Sequence, residues 1–336
     1  MKQFIINPVQ DADNTPSFTE IETPTPEPHG HDLLVRIQAV SVNPVDTKVY
    51  ANKSKQPGEH CLGWDAAGVV EAVGEKVTHY SVGDKVYYAG DVTRPGSNAS
   101  HQLVDERIVG HWPENLSAEQ AAALPLTSIT AYEALFDRMK VNPEKEAGKT
   151  LLIIGAAGGV GSIAIQLARE IADLNVIATT SRDETIQWCR EMGANSVVNH
   201  RNSLVDEFKH HDLPSPDYIL CLNDADVYFD VMAELIAPQG CICAVVDTKQ
   251  PHDLSKLKSK SAAFVWEFMF TRAMYQTNDM AAQGELLNEV SRLVEQGTIR
   301  TTLNARLGEM STDTLKQAHE LLLSGASIGK LCLKGI

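Results

Sequence analysis

Aromatic residues are scarce in this chain, at 6% of its residues, and no apolar run approaches the length of a membrane span. The most apolar stretch, AAFVWEFMF (Ala262–Phe270), falls far short of the roughly 20 residues such a span needs, and it carries Glu267. Basic charge is in short supply too. Against 44 Asp and Glu stand 29 Lys and Arg, a formal net charge of −15. Such a surface repels polyanions and anionic bilayers, so nucleic acid and membrane drop out as partners, while a local basic pocket stays open. CxxC pairs and zinc-ribbon spacings are missing from the six cysteines, at 61, 189, 221, 241, 243 and 332. Cys241 and Cys243 alternate along an expected strand, and buried free thiols in a reducing compartment account for all six. The opening MKQFIINPVQ has no long apolar core and no cleavage site, so it does not read as a secretory signal. A cytoplasmic chain is the expectation.

What is present is ordinary for a globular protein: 43% hydrophobic and 22% charged residues over 336 positions, enough for two cores. The first third reads as β-rich. FIINPV, HDLLVRIQAVSV, AAGVVEAVG and GDKVYYAG are short β-branched runs divided by Gly, Pro and Asp. SAEQAAALPLTSITAYEALFDRMK changes the period: Ser117 and Gln120 make a capping box, Pro125 interrupts, and a helix is expected to about Lys140. After the polar connector VNPEKEAGK the rhythm becomes strand, helix, strand, helix. TLLIIG is a fully apolar strand and VGSIAIQLAREIA an amphipathic helix; NVIATTS is the next strand, and DETIQWCREMG a helix stopped by Gly193. NSVVN, SLVDEFKHH, DYILCL, ADVYFDVMAELI and CICAVVD continue the alternation. Apolar strands joined by helical crossovers predict an α/β fold with a doubly wound parallel sheet covered on both faces. The tail returns to mixed structure, with two capped helices in GELLNEVSRLVEQG and STDTLKQAHELLLSG and a last strand in GKLCLKG.

The most informative segment is TLLIIGAAGGVGSIAIQLAR. A buried strand runs into Gly155, Ala156, Ala157, Gly158, Gly159, Val160 and Gly161, and a helix opens at once. Glycines let a backbone approach a pyrophosphate, and the helix start offers free N–H groups and the positive end of its dipole. Ala156 replaces the first glycine of the usual GxGxxG, giving AxGxxG. Alone this is also the mark of a tight strand–helix turn; the strand–helix units behind it favour a dinucleotide site. NAD sites usually end the second strand with a carboxylate for the ribose 2′-hydroxyl. Thr180, Ser181 and Arg182 stand there instead. Hydroxyls and a guanidinium suit a 2′-phosphate, so NADPH is the preferred cofactor, with His200 and Arg201 as further candidates for the same pocket. The plain alternative for Arg182 is a solvated surface arginine. Asp183 reads as a helix N-cap.

The segments SVNPVDTKVY (Ser41–Tyr50), GWDAAGVVEAVGEKVTHYSVGDKVY (Gly63–Tyr87), ALPLTSITAYEAL (Ala123–Leu135), GAAGGVG (Gly155–Gly161) and GASIGKLCL (Gly325–Leu333) resemble the medium-chain dehydrogenase/reductase superfamily. The resemblance covers nearly the whole chain. Within that superfamily it is most similar to the zinc-free quinone oxidoreductases and enone reductases. KSAAFVWEFMFTRAMYQT resembles a bacterial branch often labelled zinc-binding alcohol dehydrogenase. The resemblance implies a GroES-like β-rich catalytic domain from residues 1–126 and 269–336, with a Rossmann domain of residues 127–268 between them. It further implies an active site in the cleft, a homodimer, and cofactor contacts from Thr127, Thr130, Gly329 and Lys330.

Zinc members carry a Cys shortly before an Asp, a His in a Gly-His-Glu turn, and a third ligand before the first helix of the cofactor domain. The matching positions are Asn43, Trp64 and, roughly, Leu126. An amide, an indole and an aliphatic chain cannot reproduce a set built of thiolate and imidazole. Zinc members also often carry a lobe with four close cysteines, and YYAGDVTRPGSNASHQLV has none. Histidines 60, 79, 101 and 111 show no metal spacing. The implied activity is metal-independent reduction of quinones or α,β-unsaturated carbonyls by NADPH. Conjugation spreads the growing charge to oxygen, which leaves the protein to orient the reactants and donate one or two hydrogen bonds. Candidate catalytic residues are Asn43 as donor to substrate or ribose, Lys48 near the nicotinamide ribose, and Trp64 as a wall of the site. Their ordinary readings are a turn residue, a surface lysine and core packing. Asp46 and Asp65 read as structural, and Phe268 and Phe270 as substrate wall or core. Two alternatives stay open: a zinc-dependent alcohol dehydrogenase with unrecognised ligands, and a non-catalytic NADPH-binding sensor.

Overall fold

β-Branched runs punctuated by turn residues build the first part of the chain. The computed structural model of the protein describes residues 1–7 and 16–336. Pro8 and Val9, the end of the expected strand FIINPV, lie outside the described residues. Strands β1 (Lys2–Ile6), β2 (Phe18–Glu22) and β3 (Asp32–Val42) precede helix α1 (Pro44–Lys53). Then come β4 (Asp65–Val73), β5 (Lys85–Tyr88), β6 (His101–Asp105) and β7 (Val109–His111), followed by helices α2 (Ala118–Ala122) and α3 (Pro125–Tyr132). The alternating part opens with β8 (Thr150–Ile154), α4 (Gly159–Glu170), β9 (Asn175–Thr180), α5 (Asp183–Glu191) and β10 (Ser196–Asn199). It continues with α6 (Leu204–His210), β11 (Tyr218–Cys221), α7 (Ala225–Leu235), β12 (Cys241–Ala244) and β13 (Ala263–Trp266). Last are α8 (Thr271–Tyr275), α9 (Ala282–Glu295), β14 (Leu303–Glu309), α10 (Thr312–Leu323) and β15 (Lys330–Lys334). The chain divides into two compact units, Met1–Ile129 with Phe270–Ile336, and Thr130–Met269.

The second unit is a six-stranded parallel sheet of order β10-β9-β8-β11-β12-β13, the doubly wound Rossmann arrangement. β8 is buried at every position, as a parallel strand covered on both faces must be. Leu152, Ile154, Ile177, Ile219, Phe229 and Ile242 form an apolar core on one face. β13 is an unanticipated sixth strand. Its residues were not read as a strand, because periodicity cannot separate four apolar residues from an apolar loop.

In the first unit a seven-stranded sheet runs β14-β15-β3-β4-β5-β7, with β6 also on β3; β1 and β2 pair separately. β3 is its hub. Antiparallel pairing sets Leu331 opposite Val42 and Asp65 opposite Ser41, so the ends of β15, β3 and β4 meet at one level.

The helix expected from Ser117 to Lys140 is broken. Ser117 and Gln120 do make the capping box, but α2 ends at Ala122 and Pro125 opens α3, where its missing N–H costs nothing. After Tyr132 the chain makes a π-helical turn over Glu133–Arg138, and the wider turn brings Arg138 Nη2 within 3.3 Å of the Glu133 carboxylate five residues back. Asp183, expected as an N-cap, stands at the first helical position. The cap is Arg182, whose N–H donates to the Thr185 hydroxyl at 3.2 Å. The cysteines are all unpaired; Cys61 and Cys241 are half-buried rather than buried.

Candidate functional site

In the second unit the chemistry gathers at the carboxyl ends of the strands, where the strand order reverses between β8 and β11. β8 hands the chain to Gly155, at φ +83°, whose N–H donates to the Thr179 hydroxyl at 3.1 Å. The Ala156 N–H donates to the Thr179 carbonyl at 3.3 Å, which ties the turn to the end of β9. Ala157 and Gly158 follow half-buried, and α4 opens at Gly159. A Cβ at Gly161 would stand 2.6 Å from the Ala156 Cα, so only glycine fits there. The N–H groups of Gly159, Val160 and Gly161 have no carbonyl one helical turn back, and together with the dipole they suit an anion.

No carboxylate closes the second strand. Thr180 is buried and its hydroxyl is bonded to that of Thr185. Ser181 is half-buried, and the Arg182 guanidinium is 34% exposed with Nη1 3.3 Å from Glu184. β10 pairs β9 with Asn199 opposite Thr180, so His200 and Arg201 emerge beside Ser181 and Arg182. Burial first, and then the Arg201 charge, hold the His200 imidazole below its usual range.

The first unit holds a second cluster where β15, β3 and β4 meet. Lys330 is 3% exposed, and its Nζ donates to the Val42 carbonyl at 3.0 Å, to Asp65 Oδ2 at 3.0 Å and to Asn43 Oδ1. Three donors meet three acceptors. Asn43 Nδ2 donates to Asp65 Oδ2 at 2.8 Å, and the other carboxylate oxygen accepts the Leu126 N–H at 2.7 Å, at the start of α3. Asp46, third residue of α1, accepts the Asn43 N–H at 2.6 Å. Burial pushes its carboxyl up to about 7, against the pull of that N–H and of Lys330.

Asn43 and Lys330 therefore turn both their polar ends inward, to each other and to Asp65. Trp64 is buried as well: its Nε1 donates to the Asp91 carbonyl at 3.2 Å and its ring meets Phe270 edge-on at 6.0 Å. Phe270 is buried and Phe268 exposed. Lys48 is exposed on α1, and Gly329, at φ +55°, directly precedes Lys330. Thr127 and Thr130 are buried on α3; the Thr127 hydroxyl donates to the Leu124 carbonyl at 3.1 Å.

The residues at the three zinc positions do not fit the ion. The Asn43 amide is spent on Asp65 and Lys330, the Trp64 indole presents only an N–H, and Leu126 offers a backbone donor. Among the described residues no group of three or more His, Cys, Asp or Glu is arranged to hold a metal. No helix among them is long and apolar enough to cross a membrane.

One cluster escaped the sequence reading. Arg138 Nε donates to Glu267 at 2.7 Å while Nη2 reaches Glu133, both carboxylates being buried. Burial, with the Glu133 charge behind it, pushes the Glu267 carboxyl well up. Its signal was a carboxylate inside FVWEFMF, which demands a partner without saying where that partner stands.

Residues 29–127 match the alcohol dehydrogenase GroES-like domain, and residues 159–283 the zinc-binding dehydrogenase family. A Staphylococcus aureus protein named zinc-type alcohol dehydrogenase-like is 46% identical over 318 residues, covering 94% of each chain. The chain belongs to the medium-chain dehydrogenase/reductase superfamily. A Rhizobium etli structure, provisionally described as a zinc-dependent alcohol dehydrogenase, superposes with a TM-score of 0.93 at 47% identity, covering 100% of this chain and 98% of that one. The 2-methylene-furan-3-one reductase of Solanum lycopersicum is 29% identical over 331 residues, covering 94% of this chain and 75% of the reductase. This member of the superfamily is accordingly an oxidoreductase.

Proposed function

We propose that this medium-chain oxidoreductase uses NADPH to reduce quinones or α,β-unsaturated carbonyls without a metal ion, and acts on small molecules as a cytoplasmic homodimer. The observation that carries the reading is the pairing of an intact glycine turn, Gly155–Gly161, with metal positions occupied by Asn43, Trp64 and Leu126. The chemistry that a bound NADPH supplies is hydride, delivered to the β-carbon of an enone or to a quinone. The amides at the start of α4 hold the pyrophosphate, and Gly161 keeps them within reach. Arg182 leaves Glu184 to pair with the 2′-phosphate, flanked by Ser181 and His200. A saturated aldehyde would need its oxygen polarised by a Lewis acid, whereas a conjugated acceptor spreads the charge itself. The name of the Solanum lycopersicum relative, 2-methylene-furan-3-one reductase, denotes a conjugated acceptor and agrees with that demand.

The Staphylococcus aureus relative's name favours a second reading, a zinc-dependent alcohol dehydrogenase. One assay separates the two: cofactor consumption by chelator-treated protein with quinones, enones and saturated aldehydes, with NADPH and NADH side by side. Turnover of conjugated acceptors with NADPH supports the proposal. Turnover of saturated aldehydes that returns only with added zinc overturns it. Tight NADPH binding with no turnover of any acceptor supports the sensor. Light scattering reads the dimer.

A further inference from the structure

The misfit between the family's zinc and these residues has a positive side. Asn43 and Leu126 stand at two of the matched metal positions, and Asp65 directly follows Trp64 at the third. Hydrogen bonds from Asn43 Nδ2 and from the Leu126 N–H converge on the Asp65 carboxylate, and the Lys330 ammonium completes the group. Asp65 is fully buried, so its charge has no water to meet. A buried carboxylate with one oxygen on a helix start and the other on an amide still calls for a full positive charge nearby.

We infer that the Lys330 ammonium is the resident cation of this site: it neutralises Asp65, holds Asn43 and Asp65 in one arrangement, and so fixes the first turn of α3 at Leu126, in place of a metal ion. Lys330 is then a positioning residue, and its charge rather than its bulk is what the site needs. The inference deepens the metal-free reading above and rests on it for the site, but its test reads charge coupling and metal content, not turnover. Register explains why a lysine so distant in the chain can serve. β15 pairs β3 with Leu331 opposite Val42, which delivers residue 330 to the end of β3, and β4 brings Asp65 to the same level. The charged and titratable groups around the ammonium are Asp65 from β4, Asp46 from α1 and the buried Cys332 thiol from β15.

Two measurements on the full chain test it. First, wild-type protein dialysed against excess zinc and then against metal-free buffer is assayed by elemental analysis; less than about 0.1 zinc per chain is expected, and about one per chain overturns the inference. Second, thermal unfolding compares Lys330→Met, Asp65→Asn and the double variant. Lys330→Met keeps the length of the side chain and strips the charge, and is expected to lower Tm by roughly 10 °C, since it strands a buried carboxylate. The double variant, with neither charge, is expected to recover at least half of that loss. If Lys330 merely packs, the two losses add and the double variant is the worst of the three. Should Lys330→Met fail to fold, recovery of folded protein in the double variant supports the inference, and failure of both overturns it. Loss of quinone turnover in wild type would count against the proposed function and leave this result standing.

Discussion

The burial of His319 predicts that the fold loses stability in acid. On α10 its side chain is fully buried, with ring centroids 5.1 Å from Phe18 and 5.9 Å from Tyr50, and neither ring nitrogen has a hydrogen-bond partner among the described residues. Burial drops its pKa from 6.5 to about 4. The folded value lies below the unfolded one, so the unfolded chain binds the proton first. Stability from this group is complete above pH 6.5 and is lost as the pH falls towards 4. At about 1.4 kcal/mol per pH unit, the shift is worth about 3 kcal/mol across that window. His319→Leu replaces the ring with an apolar side chain of similar volume, and also frees the core of two unsatisfied nitrogens. Urea or thermal unfolding at pH 8, 6.5, 5 and 4.5 is the assay. The variant should match or exceed wild type at pH 8, by up to about 2 kcal/mol for the relieved polar atoms, and its advantage should grow by about 3 kcal/mol on going to pH 4.5. Parallel curves for the two proteins over the whole range would refute the reasoning, since they would mean that the imidazole is hydrated or bonded in the folded state.

Asp46 works in the opposite direction. Its folded pKa is raised from 3.8 to about 7, so the folded state binds the extra proton and up to about 4 kcal/mol of stability is lost as pH rises through that window. Asp46→Asn keeps an oxygen for the Asn43 N–H, and its melting temperature should stay flat between pH 5 and 8.5 where that of wild type falls. Arg182→Ala should raise the NADPH dissociation constant by about 10- to 100-fold and leave that for NADH within about 3-fold, by titration calorimetry; equal losses for both would reassign Arg182 to the fold. Glu267→Gln should change Tm at pH 7 by less than about 2 °C, because burial and the Glu133 charge push the carboxyl up and disfavour its charged form, whereas Arg138→Met should lower it by several times as much.

The elements read correctly were those whose signal is local. Four apolar residues in a row after Thr150 and before a glycine turn read as a buried strand entering a helix, and β8, Gly155–Gly161 and α4 stand as the periodicity and the glycines require. The capping box at Ser117 and Gln120 was legible for the same reason. β13 and the π-helical turn were not, since a four-residue edge strand and a half-turn widening leave no periodicity to count. The candidate site divides along the same line. Arg182 and His200 follow β9 and β10, and the parallel pairing of these two strands sets the residues after them side by side.

Lys330 was read as a cofactor contact and Asn43 as a donor to substrate or ribose, or else a turn residue; in the structure the side chains of both bond to Asp65. Trp64 was left between wall and core, and is buried against Phe270. What the sequence determined alone was the alternation of strand and helix, the tight glycine turn of Gly155–Gly161 and the residue types Asn43, Trp64 and Leu126 at the three matched positions, because each depends on residue type or on spacings of a few residues. Only the tertiary structure decided what occupies those positions. Lys330 and Asn43 lie 287 residues apart, and it is the pairing of β15 with β3 that brings the ammonium to the buried carboxylate, a register set by the packing of the whole sheet rather than by either segment.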